Sequence, residues 1–189
     1  QRLEAVPAAG TRVPLWILGS SHFGAMLAAE LGLPYAFASH FAPDLLLPAL
    51  DIYRSRFKPS ATLDRPYAMV GANIIAAETD EEARRLFTTQ QMSFTGIRRG
   101  ARGLSKPPID DIDSFWEPHE KAEVSRMLAR SIVGSTETVR RGLEDLVGET
   151  GADEIMLVSD VYDHQKRLKS ISLIAEAAGA TSDAAVAVL

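Results

Sequence analysis

The 189-residue chain contains no cysteine. Disulfides, thiolate nucleophiles and cysteine metal ligands are therefore excluded, and the composition is compatible with a reducing compartment. No apolar run approaches the ~20 residues of a membrane span, and no signal peptide is visible. Basic charge is not in excess: 20 Lys and Arg stand against 25 Asp and Glu, for a net charge of −5. The basic residues are scattered apart from Arg98, Arg99 and Arg102. Neither nucleic-acid binding nor a membrane partner is expected. The four histidines lack metal-ligand spacing, and no H-E-x-x-H or paired carboxylates occur, so no metal is expected. A nucleophile elbow, a Walker loop and a dinucleotide fingerprint are absent as well. What remains is an ordinary globular composition, 46% hydrophobic and 24% charged, with chain enough for a sizeable core.

The richest stretch is Val13 to His40, VPLWILGSSHFGAMLAAELGLPYAFASH. Leu15 to Leu18 are apolar without alternation, as in a strand covered on both faces. Gly19-Ser20-Ser21 follow, then a short helix with Phe23, Met26, Leu27 and Leu31 on one side. Gly32 stops that helix, and Tyr35 to Ala38 begin a second strand. This is a βαβ unit with a hydroxyl-rich turn at the carboxyl end of its first strand. Parallel α/β proteins place ligands at that end, and a helix start there suits a phosphate.

The same rhythm continues. A helix with a one-turn lead-in at Ala42-Pro43-Asp44 is expected from about Pro48. Tyr67 to Ala77 reads as a third buried strand. Thr79 and Glu82 form a capping box for a helix running through Ala83, Leu86, Phe87 and Gln90 toward Phe94. Residues 98–117, rich in Gly, Pro and Asp, read as a long loop. A helix from Pro118 to Arg130 follows, then one capped at Gly134-Ser135 and ended by Gly151. Glu154 to Ser159 is the fourth strand, and a last helix reaches about Ala178. Each strand is followed by a helix, so the sheet is expected to be parallel. Four βα units are half of a (β/α)₈ barrel, which usually takes ~250 residues. A free-standing doubly wound sheet is the competing architecture. Residues 1–12 read as the end of a preceding segment, 13–178 as the half-barrel and 179–189 as a tail. Gln1 in place of Met fits a piece of something longer.

Gly19, Ser20, Ser21, His22 and Gly24 are the candidate anion site. Backbone N–H groups at a helix start, with small hydroxyls beside them, are what a phosphate needs. The alternative is that a serine merely caps the helix. Ser39 and His40 close the second strand and are candidate pocket residues, because an imidazole exchanges protons near neutrality. Asn73 is the strongly polar side chain inside the third strand, and could face a ligand or sit satisfied on an edge. Asp160 follows the last strand and either positions a ligand or caps the next helix. His119 and His164 are expected in solvent at helix starts. The arginine cluster reads as solvated loop, or as a phosphate or dinucleotide contact on a lid. Phe115-Trp116 reads as an anchor for the loop.

Three segments together carry a family likeness: LWILGSSHFGAMLAAELGLPYAFASHFAP, PYAMVGANIIAAETDEEARR and IVGSTETVRRGLEDLVGETGADEIMLVSDVYDHQKRL. In order and spacing they resemble the second half of a bacterial-luciferase-like flavin-dependent monooxygenase. The resemblance covers roughly residues 13–178. It implies strands 5–8 of a (β/α)₈ TIM barrel, parallel, with an extra helix before the last strand. It also implies reduced FMN as cofactor, with its phosphate at the Gly19–Gly24 turn, O₂ as cosubstrate and a small organic substrate. NAD(P)H would act directly or through a flavin reductase. A cytoplasmic homodimer is implied, and so is a missing N-terminal half of the barrel, to which the family's catalytic histidine belongs. A non-catalytic flavin binder, or another phosphate-ligand enzyme on a doubly wound sheet, is the alternative. On the half-barrel reading, Trp16, Phe37, Val70 and Met156, or their neighbours, would face inward without a covering layer.

Overall fold

The computed structural model of the chain describes residues 6, 10–11, 13–101 and 103–179. Most of 1–12, Arg102 and 180–189 lie outside the described residues. The elements run β1 (Ile17–Gly19), α1 (His22–Leu31), β2 (Tyr35–Phe37), a 3₁₀ turn (Pro43–Leu45), α2 (Leu46–Arg56), β3 (Ala68–Ala76) and α3 (Asp80–Arg98). A second 3₁₀ turn (Ile112–Ser114), α4 (Pro118–Met127), β4 (Ile132–Gly134), α5 (Thr136–Thr150), β5 (Glu154–Val158) and α6 (His164–Ala177) complete the chain. Among the described residues, no helix is long and apolar enough to cross a membrane.

The helix limits follow local chemistry. Gly32 and Gly151 end α1 and α5 in the left-handed conformation, at φ 60° and 56°, which costs a glycine little. The Thr79 side chain accepts from the Glu82 N–H, and that of Ser135 from the Thr138 N–H. The Glu82 carboxylate pairs with Lys166 of α6, tying two helices together. Helix α2 starts at Leu46, two residues before the expected Pro48. Proline is tolerated there because first-turn N–H groups have no helical partner.

The sheet is parallel throughout. β1 pairs with β2, β2 with the first three residues of β3, and β5 with Met69–Asn73. The fifth strand, β4, corrects the expected count of four: it pairs Ile132–Gly134 with Ile74–Ala76. Three residues are too few to show a period, so this strand was not visible in the sequence.

β3 sorts the two faces. Ala68, Val70, Ala72, Ile74 and Ala76 belong to one core with Ala25, Leu50, Val139 and Leu173, drawn from α1, α2, α5 and α6. Tyr35 and Phe37 join that core and are fully buried. Phe37 and Val70 therefore point at the helices, so of the two alternatives it is their neighbours that face inward. Their neighbours Ala36 and Met69 occupy the other face, in register with Leu18 and Glu154. That face is largely uncovered: Leu18 is 72% and Met156 54% exposed. Among the described residues, its carboxyl end is roofed where Ile75 and Ala77 pack on Ala83 and Leu86 of α3. A doubly wound sheet would carry helices on both faces. One main helical layer over a parallel sheet with a bare apolar face is half of a (β/α)₈ barrel.

Candidate functional site

Parallel strands put all their carboxyl ends on one side, and the candidate residues gather there. At β1 the chain turns from Gly19 through Ser20 and Ser21 into α1. Ser21 is the N-cap, with φ −146° and ψ 166°, yet its hydroxyl caps nothing. Ser20, Ser21 and His22 are exposed. No acidic residue occupies the first turn of α1. Helices α3, α4, α5 and α6 each have a side-chain cap or an acidic first turn, whereas α2, led in by a 3₁₀ turn, has neither. The capping alternative for the serines is thus not realised by Ser21, and the positive end of the helix is open to an anion.

Gly19 and Gly24 face each other over Tyr35: a Cβ on either would lie 3.4 Å from the other's Cα and 3.5–3.7 Å from Tyr35, which are ordinary contacts. The Tyr35 hydroxyl donates to the Ser21 carbonyl at 3.2 Å. Burial pushes the Tyr35 phenol up to about 12, so it stays a donor at neutral pH.

β2 ends beside this turn, with the Ala38 N–H donating to the Gly19 carbonyl at 2.9 Å. Next come Ser39 and His40. The Ser39 hydroxyl donates to the Gly71 carbonyl at 2.6 Å, and the His40 N–H to the same oxygen at 3.1 Å. Asn73 lies three residues beyond Val70, the partner of Phe37, and so stands at the height of His40. It is 3% exposed and is on the face away from the main helical layer. Its Nδ2 donates to the His40 carbonyl at 3.3 Å, and its Oδ1 accepts from Gln90 Nε2 at 2.6 Å. Burial lowers the His40 pKa below its ordinary value, partly opposed by the Gly71 backbone. The imidazole is therefore neutral at pH 7.

The structure brings together Ser39, His40 and Asn73, and sets them next to the serine turn. Asp160 is half-buried beyond β5. It does not cap α6: Asp163 does, accepting from the Lys166 N–H at 2.8 Å. The sequence reading missed Gly71 and the role of Gln90. Signals for both were present, a glycine inside a buried strand and an amide on an otherwise apolar helical stripe.

Beside His40, Phe41 opens onto a cleft of about 450 Å³ whose walls include Met92, Ile97, Leu104 and Phe115 together with the cations Arg99 and Lys106. The arginines here are held in ion pairs. Arg98 pairs with Glu123, and Arg99 grips Glu120 through two nitrogens while donating to the Phe115 carbonyl. Arg102 lies outside the described residues. Glu120, held by Arg99 and by the Glu117 N–H, has its carboxyl lowered to about 2. Trp116 anchors the loop in a core with Phe94, Val124 and Leu128, as expected, and Phe115 packs on the same core while also lining the cleft. His119 and His164 are exposed.

Comparison with known proteins gives a consistent result. The family model described as luciferase-like monooxygenase matches residues 1–154. A luciferase-like monooxygenase of Escherichia coli strain K12 is 53% identical over 171 residues, which is 90% of this chain and 51% of that protein. The crystal structure of apo-MsnO8 superposes with a TM-score of 0.83 at 34% identity, covering 96% of this chain and 55% of that one. The oxygenating constituent of 3,6-diketocamphane monooxygenase from the CAM plasmid of Pseudomonas putida, in complex with FMN, shares the fold at 21% identity and a TM-score of 0.56. It is covered over 46% of its length, by 84% of this chain. The chain thus spans about half the length of the curated relatives it matches.

Proposed function

The chain belongs to the luciferase-like monooxygenase family, and from that membership we propose that the protein is a flavin-dependent monooxygenase acting on a small organic substrate. Reduced FMN would supply the electrons with which O₂ is activated, drawing them from NAD(P)H directly or through a reductase. Ser20, Ser21 and the N–H groups of the first turn of α1 hold the phosphate. The single observation that carries this is the open N-terminus of α1, with an N-cap hydroxyl that caps nothing and no carboxylate nearby. The arrangement fits a dianion, whose oxygens accept several hydrogen bonds at once. A relative bound to FMN has the same fold.

Ser39, His40 and Asn73 then line the floor between the phosphate turn and the apolar cleft. The cleft, walled by Phe41, Met92 and Phe115, suits the organic substrate and excludes water from it. The bare face bearing Leu18 and Met156 is covered by four further βα units, which close the barrel. A homodimer in the cytoplasm belongs to the same reading.

The test is titration of FMN into the full-length protein and its Ser20→Ala/Ser21→Ala variant, followed by flavin fluorescence. Loss of two charge-assisted hydrogen bonds is expected to weaken binding by about 1–3 kcal/mol, roughly 5- to 150-fold. Unchanged affinity would remove the phosphate from this turn.

A further inference from the structure

His40 and Gln90 each bury a polar atom that no described residue satisfies, His40 Nδ1 and Gln90 Oε1. Buried polar atoms are paired in almost all proteins, so two orphans within one hydrogen-bonded cluster call for a partner from outside it. Gln90 is only 2% exposed. Its amide nitrogen is spent on Asn73 Oδ1, and Asn73 Nδ2 is spent on the His40 carbonyl. Gly71 makes room for the ring: a Cβ there would lie 2.6 Å from His40 Nδ1. The Phe41 ring packs against it, with ring centroids 4.3 Å apart. The imidazole is held by its backbone, by a missing methyl group and by a neighbouring ring. Its Nδ1 lies over Gly71, whose backbone favours the charged ring, yet it makes no hydrogen bond of good geometry.

The location says what it faces. His40 follows Ala38, which is bonded to the serine turn, and precedes Phe41, which lines the apolar cleft. A molecule anchored at the turn and reaching toward the cleft passes His40. We propose that His40 hydrogen-bonds the polar edge of the ring system of the bound flavin, and that Gln90, acting through Asn73, is the residue that positions it. The inference rests on the flavin reading above. A flavin ring edge alternates carbonyl acceptors with an N–H donor. An uncharged imidazole offers one donor and one acceptor, which can match either kind of atom on that edge. Gln90 is a positioning residue here, since it acts on the ligand through two others.

The experiment uses full-length protein labelled with ¹⁵N-histidine, with the His40 ring signals assigned from His40→Gln. Addition of FMN is expected to move those signals. His40→Gln and Gln90→Met are each expected to weaken FMN binding by about three- to tenfold, the scale of one hydrogen bond. Gln90→Met conserves length and volume, and Gln90→Glu replaces it should the first fail to fold. In ligand-free Gln90→Met the His40 ring signals are expected to shift, because the Asn73 amide that holds the His40 carbonyl loses its own partner. His40 signals unmoved by FMN, or wild-type affinity in Gln90→Met, would overturn the proposal. Signals that move with decanal and not with FMN would overturn the flavin assignment. If the wild-type protein binds no FMN, the flavin reading itself fails. The ligand-free spectra then judge the positioning chain alone, and unchanged His40 ring signals in Gln90→Met overturn it.

Discussion

Gly71→Ala puts a methyl group where the His40 ring now lies. The new Cβ would be 2.6 Å from Nδ1 and 3.0 Å from Cε1. To regain an ordinary contact at 3.4 Å the ring must retreat by about 0.8 Å, disturbing its packing with Phe41. Overpacking of this kind costs about 1–3 kcal/mol. Alanine also stiffens the unfolded chain, which returns about 0.5–1 kcal/mol. The net expectation is a loss of about 1 kcal/mol. In a His40→Ala background the obstacle is gone, so the sign reverses and Gly71→Ala becomes stabilising by about 0.5 kcal/mol. Urea unfolding of the four full-length proteins, followed by far-UV circular dichroism, reads this as a coupling between the two sites. An equal loss in both backgrounds would show that Gly71 is not shaped by the imidazole, and the preorganisation ascribed to His40 would fall with it.

Tyr53 is fully buried, and its hydroxyl donates to the Leu33 carbonyl and accepts from the Tyr67 N–H, at 2.9 and 3.1 Å. Tyr53→Phe strands both groups and should destabilise the protein by about 1–3 kcal/mol; an unchanged urea midpoint would contradict this. The Glu120 carboxyl has its pKa lowered from 4.5 to about 2 by Arg99 and the Glu117 N–H. Its contribution to holding the 99–117 loop is therefore complete above pH 4.5 and lost as pH falls toward 2. Glu120→Gln should flatten the acid limb of a stability profile over that window, and an identical limb in the variant would refute the assignment. Residues 1–189 expressed alone leave Leu18 and Met156 bare and β1 and β5 with a free edge. They should self-associate or bind a hydrophobic dye; sedimentation as a compact monomer that binds no dye would count against the half-barrel.

Much of this molecule could be read directly from the sequence. The helix ends at Gly32 and Gly151, the caps at Thr79 and Ser135, and the buried strands at 35–38 and 67–77 all depend on backbone chemistry within a few residues. So does the Gly19–Ser21 turn at a strand's carboxyl end, because a parallel βα unit has a fixed polarity. Other features depended on partners distant in the chain. Phe37 and Val70 point at the helices because of the sheet's register with α1, α2, α5 and α6, and a strand with apolar residues on both faces does not announce its parity. β4 is a strand because Ile74–Ala76 of β3 offer it a free edge. Asp163 caps α6 in place of Asp160 because the strand ends at Val158 and the chain takes five more residues to reach the helix. The cluster of Ser39, His40, Gly71, Asn73 and Gln90 joins residues as much as 51 positions apart. Its hydrogen bonds exist only once β2, β3 and α3 have packed, so tertiary structure alone decided which polar atoms were satisfied and which were left free.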